Sequence, residues 1–595
     1  MTEQPFSALL FRTVLAGALL GALATAYFLA GVAGHVRSPV VTYSVAIALV
    51  GSTGFFLYWL FFLAPRETGR VGRAIWLVVL LVMFAETVLG LLPPTARDEL
   101  THHLAIPKLY VEAGRIIEVP IAPYSYYPML LDMLFTPWVY WNLDFVPKLV
   151  HSLFGALTGL LLYAYLSRRL NPVYGQLGFF FFVSTPAVLR LSHWAYVDLG
   201  VTFYVTAALL CLLVWRETEQ SGWLVLCGLS AGFAAATKPN GLVAALVLFL
   251  ILLFVLASRI RSELKKCVSC LALFTGLAVL PLVPWLVKNY AQTGNPLFPH
   301  GGWLFVSDVA TQVGAALSYA DLGVLGKRRW LYGESWLEIA ALPLRIFFSG
   351  RDDVPQYFDG ALTPVLVLLL PWAFKGKWGG EKRIWLVFAV LYFAYAVFLV
   401  DLRIRYILPI VPPLVVLLVW GVFNVYLRIR RPAYLVAGLV FFGVVHLGYL
   451  YAYFRAGQPI AYLSGRESRE TYLSRTLPDY PAFRFLNRET PPDAKIYLLF
   501  AGRRAYYCNR SYFHDGGELP GFLMVAIRSA REPSDIARRL RENQLSHLLV
   551  REDLLIRFLA DNLTPAERAL WAAFASNHLE LLFRDRGYSV LQVHG

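Results

Sequence analysis

Charged residues are scarce in this chain: Asp, Glu, Lys and Arg make up only 15% of its 595 residues, whereas 58% are hydrophobic. That balance excludes an ordinary cytosolic protein. The apolar residues also form long blocks, such as 74–92 and 242–257, that are long enough to cross or nearly cross a bilayer as helices. The composition therefore predicts a polytopic α-helical membrane protein.

Cysteine is also scarce, with five residues in the whole chain. Two of them lie inside apolar blocks and only Cys508 falls in the polar C-terminal part, which excludes a disulfide framework. Cys267 and Cys270 form a CxxC pair, but no second pair or histidine cluster accompanies them, so a metal centre is not indicated. A signal-peptide cleavage site is missing as well, and the first apolar block is predicted to be a retained helix.

The apolar blocks predict about 13 membrane-spanning helices. They are 8–34, 39–63, 74–93, 148–166, 175–191, 198–215, 222–237, 240–257, 268–286, 361–374, 384–400, 406–426 and 433–452.

Basic clusters in the connecting segments then all fall on one side of the membrane. They are Arg66, Arg70 and Arg73; Arg168 and Arg169; Arg259, Arg261, Lys265 and Lys266; Lys375, Lys377, Lys382 and Arg383; and Arg428, Arg430 and Arg431. By the positive-inside rule this side is cytoplasmic, so the N-terminus is predicted inside and the C-terminal part outside a cell (inner) membrane. The net charge of +15 is thus a topology signal, and no nucleic-acid partner is expected.

The chain is predicted to have two domains. Residues 1–452 form the membrane domain, whose long outer segments 94–147 and 287–360 are rich in Pro, Tyr, Trp, Asp and Gly. Residues 453–595 form an extracytoplasmic α/β domain, with helix-like runs at 534–543 and 564–574 and strand-like runs at 495–500 and 546–550.

The first outer segment contains a candidate titratable cluster in the motif DELTHH. If a helix runs up to Pro107, His102 lies four residues after Asp98 and His103 four residues after Glu99, so each carboxylate shares a helix face with a histidine. The alternative is that both acidic residues are solvated and merely favour the N-terminus of a surface helix.

Further charged residues are predicted on the same face. Asp198 follows Arg190 and His193 in the turn RLSHWAYVDLG, where it could equally cap a helix. The outer cations are Lys238, Lys288, Arg403 and Arg405. Each alone is explained by snorkelling to the interface, but several cations beside carboxylates suit a lipid-linked phosphate.

These motifs resemble the GT-C glycosyltransferases that use polyprenyl-phosphate sugars, typified by protein O-mannosyltransferases and the aminoarabinose transferase of lipid A. The resemblance covers about residues 74–426. It rests on Asp98 and Glu99 followed by Gly114, Pro120, Tyr127 and Pro128, and on the motifs AYVD, ATKPNG, PWLVKNY-TGNPLFP and RIRYILPIVPP. Two spans precede the helix leading to the acidic pair, where the relatives have one, and the tail lacks the sugar-binding repeats of the eukaryotic mannosyltransferases.

The resemblance implies sugar transfer from a polyprenyl phosphate to a protein, lipid or glycan acceptor, with inversion. Asp98 would be the base, Glu99 or Asp198 would orient the acceptor, and Arg405 with Lys238 or Lys288 would neutralise the leaving phosphate. His102, His103, Tyr127 and Arg403 complete the predicted substrate-binding set. No obligatory metal is implied, although Asp98, Glu99 and Asp198 could ligate a divalent cation. The rival functions are a transporter or flippase of a lipid-linked or anionic solute, and a non-catalytic assembly protein.

Overall fold

The computed structural model describes residues 8–63, 69–259, 261–300, 304, 323–375, 379–399, 402–515 and 520–594. Two of the predicted cytoplasmic cations, Arg66 and Lys377, and part of the predicted outer segment 287–360 lie outside these ranges.

Nine helices in the described ranges are long and apolar enough to cross a membrane. They are Ala8–Val32, Pro39–Phe61, Arg70–Gly90, Val146–Arg169, Asp198–Thr218, Pro239–Ala257, Leu264–Thr293, Ile404–Tyr426 and Pro432–Gly457. A tenth span is formed if the bent pair Pro172–Val183 and Pro186–Ser192, which meet at 66°, counts as one. The apolar helices Ser221–Thr237 and Gly380–Leu399 coincide with two further predicted spans. The predicted polytopic helical architecture is confirmed.

One predicted span has a different structure. Residues 361–374 contain two single-turn helices, Val365–Leu368 and Leu370–Ala373, instead of one continuous helix. Pro371 explains the break because it has no N–H to donate to the preceding turn. The broken backbone lies close to Gly421, where an added Cβ would come within 2.5 Å of the Leu369 carbonyl oxygen.

The centre of the bundle is the helix Asp198–Thr218, whose residues from Asp198 to Trp215 are all buried. It packs beside Val146–Arg169, and Gly200 allows a close approach of Leu131. The preceding bend at Pro186 turns the chain back, so that residues 193–197 form a turn at the end of the bundle just before the central helix begins.

The two ends of the central helix carry different charges. At its C-terminal end Arg169 pairs with Glu217, and Lys266 pairs with Glu219 at 2.7 Å. Asp198 lies at the opposite, N-terminal end of this 21-residue helix. The structure therefore separates these basic loops from the predicted catalytic residues by the length of the bundle.

Short helices connect the spans on the side of Asp198. They are Glu99–His103 (π), Ala105–Ala113, Pro123–Tyr126 (3-10), Leu130–Tyr140, Gly323–Gly326, Lys327–Leu331 (π), Trp336–Ala340, Leu342–Phe348 and Pro355–Tyr357 (3-10). A further 3-10 turn, Leu280–Leu282, lies inside the span Leu264–Thr293.

The C-terminal domain contains a mixed five-stranded sheet in the order β2-β1-β3-β5-β4. The strands are β1 Lys495–Leu499, β2 Ser511–Phe513, β3 Leu545–Arg551, β4 Leu579–Asp585 and β5 Tyr588–Val593. β1 is parallel to β2 and β3, whereas β5 is antiparallel to β3 and β4. Its helices are Pro459–Leu463, Arg469–Thr476, Tyr480–Glu489, Gly521–Ser529, Pro533–Glu542, Glu552–Asn562 and Pro565–His578.

Strand β3 is central because it is apolar on both faces. Leu548 and Val550 reach one hydrophobic core, and Leu549 reaches a second core on the opposite face. Arg586 and Gly587 both have positive φ, which suits the tight turn that joins β4 to β5. The predicted helices and strands of this domain are all present, with β2, β4 and β5 in addition.

Candidate active site

A cavity of about 1450 Å³ lies between the end of the bundle and the C-terminal domain. Seven of the ten predicted site residues line it: Asp98, His102, His103, Tyr127, Lys238, Arg403 and Arg405. Asp198, Glu99 and Lys288 lie behind its wall. Residues more than 300 positions apart in the sequence thus meet at one end of the bundle.

Asp98 pairs with Arg405 on the cavity wall. The Arg405 guanidinium donates to the Asp98 carboxylate, and the two side chains are 14% and 20% exposed, respectively. The backbone N–H of Asp98 donates to the Tyr196 hydroxyl at 3.2 Å. Although burial raises the pKa of Asp98, the charges of Arg405 and then His102 outweigh it and hold that pKa well below its usual range. Asp98 is therefore an ionised carboxylate at neutral pH.

Glu99 is fully buried and has a different environment from Asp98. One carboxylate oxygen accepts from the backbone N–H groups of Thr95 and Ala96 at 2.9 and 2.7 Å, and the other from that of Ala195 at 2.5 Å. These bonds fasten the first loop to the turn before the central helix. Glu99 is a positioning residue in this geometry, because both of its oxygens are engaged and neither reaches the cavity, contrary to the predicted contact with the acceptor.

Asp198 and Lys238 form a second pair, in which the Lys238 Nζ lies 2.7 Å from one Asp198 oxygen. The other Asp198 oxygen is buried and has no hydrogen-bond partner among the residues that the structure describes. The ammonium group also lies 5.1 Å from the centre of the Tyr406 ring. Lys238 lies in extended backbone between two helices, and Gly241 lets them meet closely, since an added Cβ would lie 1.9 Å from a carbonyl oxygen.

The two histidines of the DELTHH motif occupy a π-helical turn, Glu99–His103. Its wider repeat joins the Leu104 N–H to the Glu99 carbonyl, so residues four apart no longer stack as they do in an α-helix. His103 consequently does not pair with Glu99, as the α-helical spacing predicted, and instead contacts Asp132 at 2.7 Å. His102 stacks on Tyr124 with ring centres 4.6 Å apart.

Lys288 lies behind the wall and supports the turn that carries Tyr127. Its Nζ donates to the Ser125 carbonyl at 2.5 Å. The neighbouring Asn289 donates to the Tyr126 carbonyl at 2.8 Å, and the Tyr127 hydroxyl lies 3.5 Å from His300. This position does not bring Lys288 to a bound phosphate, as the sequence predicted, and gives it a structural role.

Sequence reasoning missed several polar groups of the site. Lys148 lines the cavity and donates to the Leu92 carbonyl at 2.8 Å. His151 holds the turn before the central helix, since its Nδ1 donates to the Trp194 carbonyl at 2.8 Å and its Nε2 accepts from the Leu199 N–H at 2.8 Å. Each of these residues is an isolated polar group in an apolar helix, which is the signal that could have found them.

A charged network holds the hairpin 351–360 over the cavity. Asp359 lies 3.3 Å from Arg190 and 3.4 Å from Arg403, and Arg190 lies 2.6 Å from Asp353. The Ile404 N–H donates to the Phe358 carbonyl at 2.8 Å. These contacts hold the Arg403 side chain and the backbone of Ile404, which immediately precedes Arg405.

The C-terminal domain closes the remaining side of the cavity with residues that include Phe500, Arg503 and Arg504. Lys108 attaches this domain to the first loop, because its Nζ donates to the carbonyls of Tyr506 and Cys508 at 2.9 and 2.7 Å. The same group also donates to the Asn509 side chain at 2.8 Å.

Within the described part of the chain, no three His, Cys, Asp or Glu side chains converge as a metal site would require. Asp98 and Asp198 are each paired with a cation, and the Glu99 oxygens are bound to backbone N–H groups. The predicted carboxylate set therefore does not fit a divalent cation in this arrangement.

Comparisons with known proteins agree with this fold. Residues 134–285 match the family described as dolichyl-phosphate-mannose-protein mannosyltransferase. No match was found among curated protein sequences.

Solved structures match nearly the whole chain. ArnT from Cupriavidus metallidurans bound to undecaprenyl phosphate is 14% identical, with a TM-score of 0.53 over 88% of this chain and 98% of that one. The apo form of the same protein is 15% identical, with a TM-score of 0.53 over 87% and 97%. The oligosaccharyltransferase AglB from Archaeoglobus fulgidus is 12% identical, with a TM-score of 0.43 over 86% and 74%.

The family match includes Asp198 and Lys238, and the fold shared with ArnT includes the C-terminal domain. The chain therefore shares the fold of ArnT, and the family match over residues 134–285 agrees with the resemblance found in the sequence.

Proposed function

We propose that the protein transfers a sugar from a polyprenyl-phosphate donor to a hydroxyl group of a protein, lipid or glycan acceptor, with inversion at the anomeric carbon. The observation that carries the proposal is the pair of Asp98 and Arg405 on the wall of a cavity at one end of the bundle. A carboxylate that can take a proton and a cation that can take a phosphate are the two groups that this reaction needs.

The lipid phosphate binds to the cationic part of the wall. Arg405 and Lys238 both line the cavity, and Arg403 lies beside Arg405. Each already has a carboxylate partner: Asp98, Asp198 and Asp359, respectively. The lysine ammonium has three hydrogens and makes one hydrogen bond to Asp198, so it can also donate to a phosphate oxygen.

Phosphate binding also prepares the base. While Arg405 holds Asp98, the low pKa of that carboxyl makes it a weak proton acceptor. A phosphate that binds Arg405 competes with Asp98 for the guanidinium and thereby raises the basicity of the carboxylate. Donor binding and activation of Asp98 are coupled in this way.

Transfer is then a single displacement. Asp98 takes the proton of the acceptor hydroxyl while the acceptor oxygen bonds to the anomeric carbon. At the same time the bond from that carbon to the phosphate oxygen breaks. The electron pair leaves with the polyprenyl phosphate, whose negative charge is stabilised by Arg405 and Lys238. Tyr124 and Tyr127 line the same cavity and provide aromatic faces for the sugar.

We place the cavity on the extracytoplasmic side of the cell membrane. Support comes from the basic loops, because those around Arg169 and Lys266 lie at the opposite end of the bundle and favour the cytoplasm.

The test uses proteoliposomes supplied with a membrane extract as the source of acceptors and a panel of radiolabelled undecaprenyl-phosphate sugars. Wild-type protein should move label from the lipid fraction to an acceptor, and Asp98→Asn should not. The matched control is Asp561→Asn, an exposed carboxylate away from the cavity, which should transfer like the wild type. Undiminished transfer by Asp98→Asn would rule out the assigned base. Label that crosses the bilayer still attached to lipid would identify a flippase instead.

A further inference from the structure

His103 and Asp132 form a buried pair that the reaction described above does not use. His103 ends the π-helical turn, and Asp132 lies in the helix Leu130–Tyr140. The His103 Nδ1 is 2.7 Å from an Asp132 oxygen, and the two side chains are only 6% and 2% exposed. A contact of this length requires a proton between the two atoms.

The pair holds a second proton at neutral pH. In the described part of the chain, His103 is the only side chain that hydrogen-bonds the Asp132 carboxylate. A buried carboxylate without a cation is costly, so the favoured form of the pair is uncharged overall. It is then either a carboxylic acid beside a neutral imidazole or a carboxylate beside an imidazolium. In both forms the Nε2 of His103 carries a hydrogen.

The pKa shifts agree with this protonation state. Burial raises the pKa of Asp132 to about 8 and lowers the pKa of His103 to about 3. The second proton is therefore held at neutral pH, and its loss at higher pH leaves the pair negatively charged. The other titratable and charged groups around the pair are Asp98, His102, Tyr110, His151, Tyr196, Asp198, Lys238 and Arg405.

The Nε2 of His103 has no hydrogen-bond partner among the described residues, and His103 lines the cavity. Lys238 and Arg405 line the same cavity and act electrostatically on the imidazole. These three groups are all donors, so the ligand they share must offer several acceptor oxygens and negative charge. A phosphate group meets that description, whereas a sugar hydroxyl brings no charge.

We propose that His103, held in place by Asp132, donates a hydrogen bond from Nε2 to the phosphate of the lipid-linked donor. This assignment rests on the proposed function. His103 contacts the leaving group, and Asp132 is a positioning residue that sets the ring orientation and keeps the donor hydrogen on Nε2.

The experiment measures binding of undecaprenyl phosphate to the purified protein at pH 7.5 and pH 9.5. The phosphate itself is already fully ionised in this range, since its second pKa is about 6. Wild-type affinity should fall about tenfold with rising pH, because a charge-assisted donor is replaced by a negatively charged pair. Asp132→Asn should remove this step, because the remaining imidazole is neutral throughout the range. His103→Gln should reduce it, because ionisation of Asp132 then no longer removes a donor hydrogen from a group that contacts the phosphate.

Three controls complete the experiment. His35→Gln replaces an exposed histidine away from the cavity and should keep the full step. Undecaprenol, which lacks the phosphate, should bind without any step. Inorganic phosphate should compete poorly. Equal elution volume and melting temperature of the variants show that they are folded.

A full pH step in both Asp132→Asn and His103→Gln would overturn the proposal, as would a wild-type affinity that is independent of pH. Inorganic phosphate that competes as well as the lipid would identify a site for free phosphate and overturn the lipid assignment. A wild-type protein that does not bind undecaprenyl phosphate at either pH would instead overturn the proposed function itself.

Discussion

The competition between Asp98 and a bound phosphate for Arg405 predicts that one substitution changes binding and transfer in opposite directions. Asp98→Asn keeps the size of the side chain and removes its charge. The variant should bind undecaprenyl phosphate more tightly than the wild type, because Arg405 no longer has to leave a carboxylate. The same variant should transfer no sugar, because an amide cannot accept the proton.

The magnitude follows from the environment of the pair. The Asp98 and Arg405 side chains are 20% and 14% exposed, so the pair is largely but not completely withdrawn from water. A hydrogen bond to a charged group contributes about 1.5–3 kcal/mol net in such a setting. Removing that competition should lower the dissociation constant by roughly 10- to 100-fold. Loss of a general base should lower the rate of transfer by about 100- to 10,000-fold.

Isothermal titration calorimetry of the detergent-solubilised protein with undecaprenyl phosphate measures the first effect, and the radiolabel assay measures the second. Arg405→Gln provides the opposite sign, since it should weaken phosphate binding as well as transfer. Asp561→Asn should change neither quantity. Weaker binding by Asp98→Asn, or binding equal to that of the wild type, would refute the competition, and normal transfer would refute the role of Asp98 as base.

The remaining predictions concern the groups that hold the site together. Lys238→Gln should lower both the rate of transfer and the melting temperature, because it leaves Asp198 without the cation 2.7 Å away. Lys238→Arg should keep the melting temperature of the wild type. Equal melting temperatures of Lys238→Gln and the wild type would contradict a stabilising role for the pair. Glu99→Gln should destabilise the folded protein by about 1–3 kcal/mol, because an amide has one acceptor oxygen for three backbone N–H groups. An unchanged free energy of unfolding in chemical denaturation would contradict the stabilising role of these three hydrogen bonds. Lys108→Met should release the C-terminal domain and speed its limited proteolysis. Lys495→Met, which removes a hydrogen bond to the Asn543 carbonyl inside that domain, should not.

The membrane architecture could be predicted because it depends on the length and hydrophobicity of the segments that lie in the bilayer. Long apolar blocks need lipid, and the central helix Asp198–Thr218 is among the blocks that the sequence predicted. The span predicted at 361–374 failed because hydropathy counts residues and does not register that Pro371 interrupts the backbone. The C-terminal domain shows the same limit, since the three-residue strand β2 is too short to produce a pattern.

The sequence could predict on which face of the membrane the candidate residues lie, but not which of them form pairs. Asp98, Asp198, Lys238 and Arg405 were found from their position at one end of the bundle, and the structure joins them into two ion pairs. Their pairing could not be derived, because Asp98 and Arg405 are 307 residues apart.

Asp132 escaped notice because helical spacing assigned Glu99 as the partner of His103. The π-helical turn adds a residue to the repeat and turns the imidazole toward another helix. The extra residue in this turn thus directs His103 away from Glu99 and toward Asp132.

The C-terminal domain has a consequence for how acceptor choice can change. Its five-stranded sheet has its own two hydrophobic cores, yet Phe500, Arg503 and Arg504 form one wall of the cavity. The groups assigned to the lipid phosphate all belong to the membrane domain. Exchange of the C-terminal domain between proteins of this fold would therefore change one wall of the cavity and leave the groups assigned to the lipid phosphate in place, so that it would test whether this wall sets the choice of acceptor.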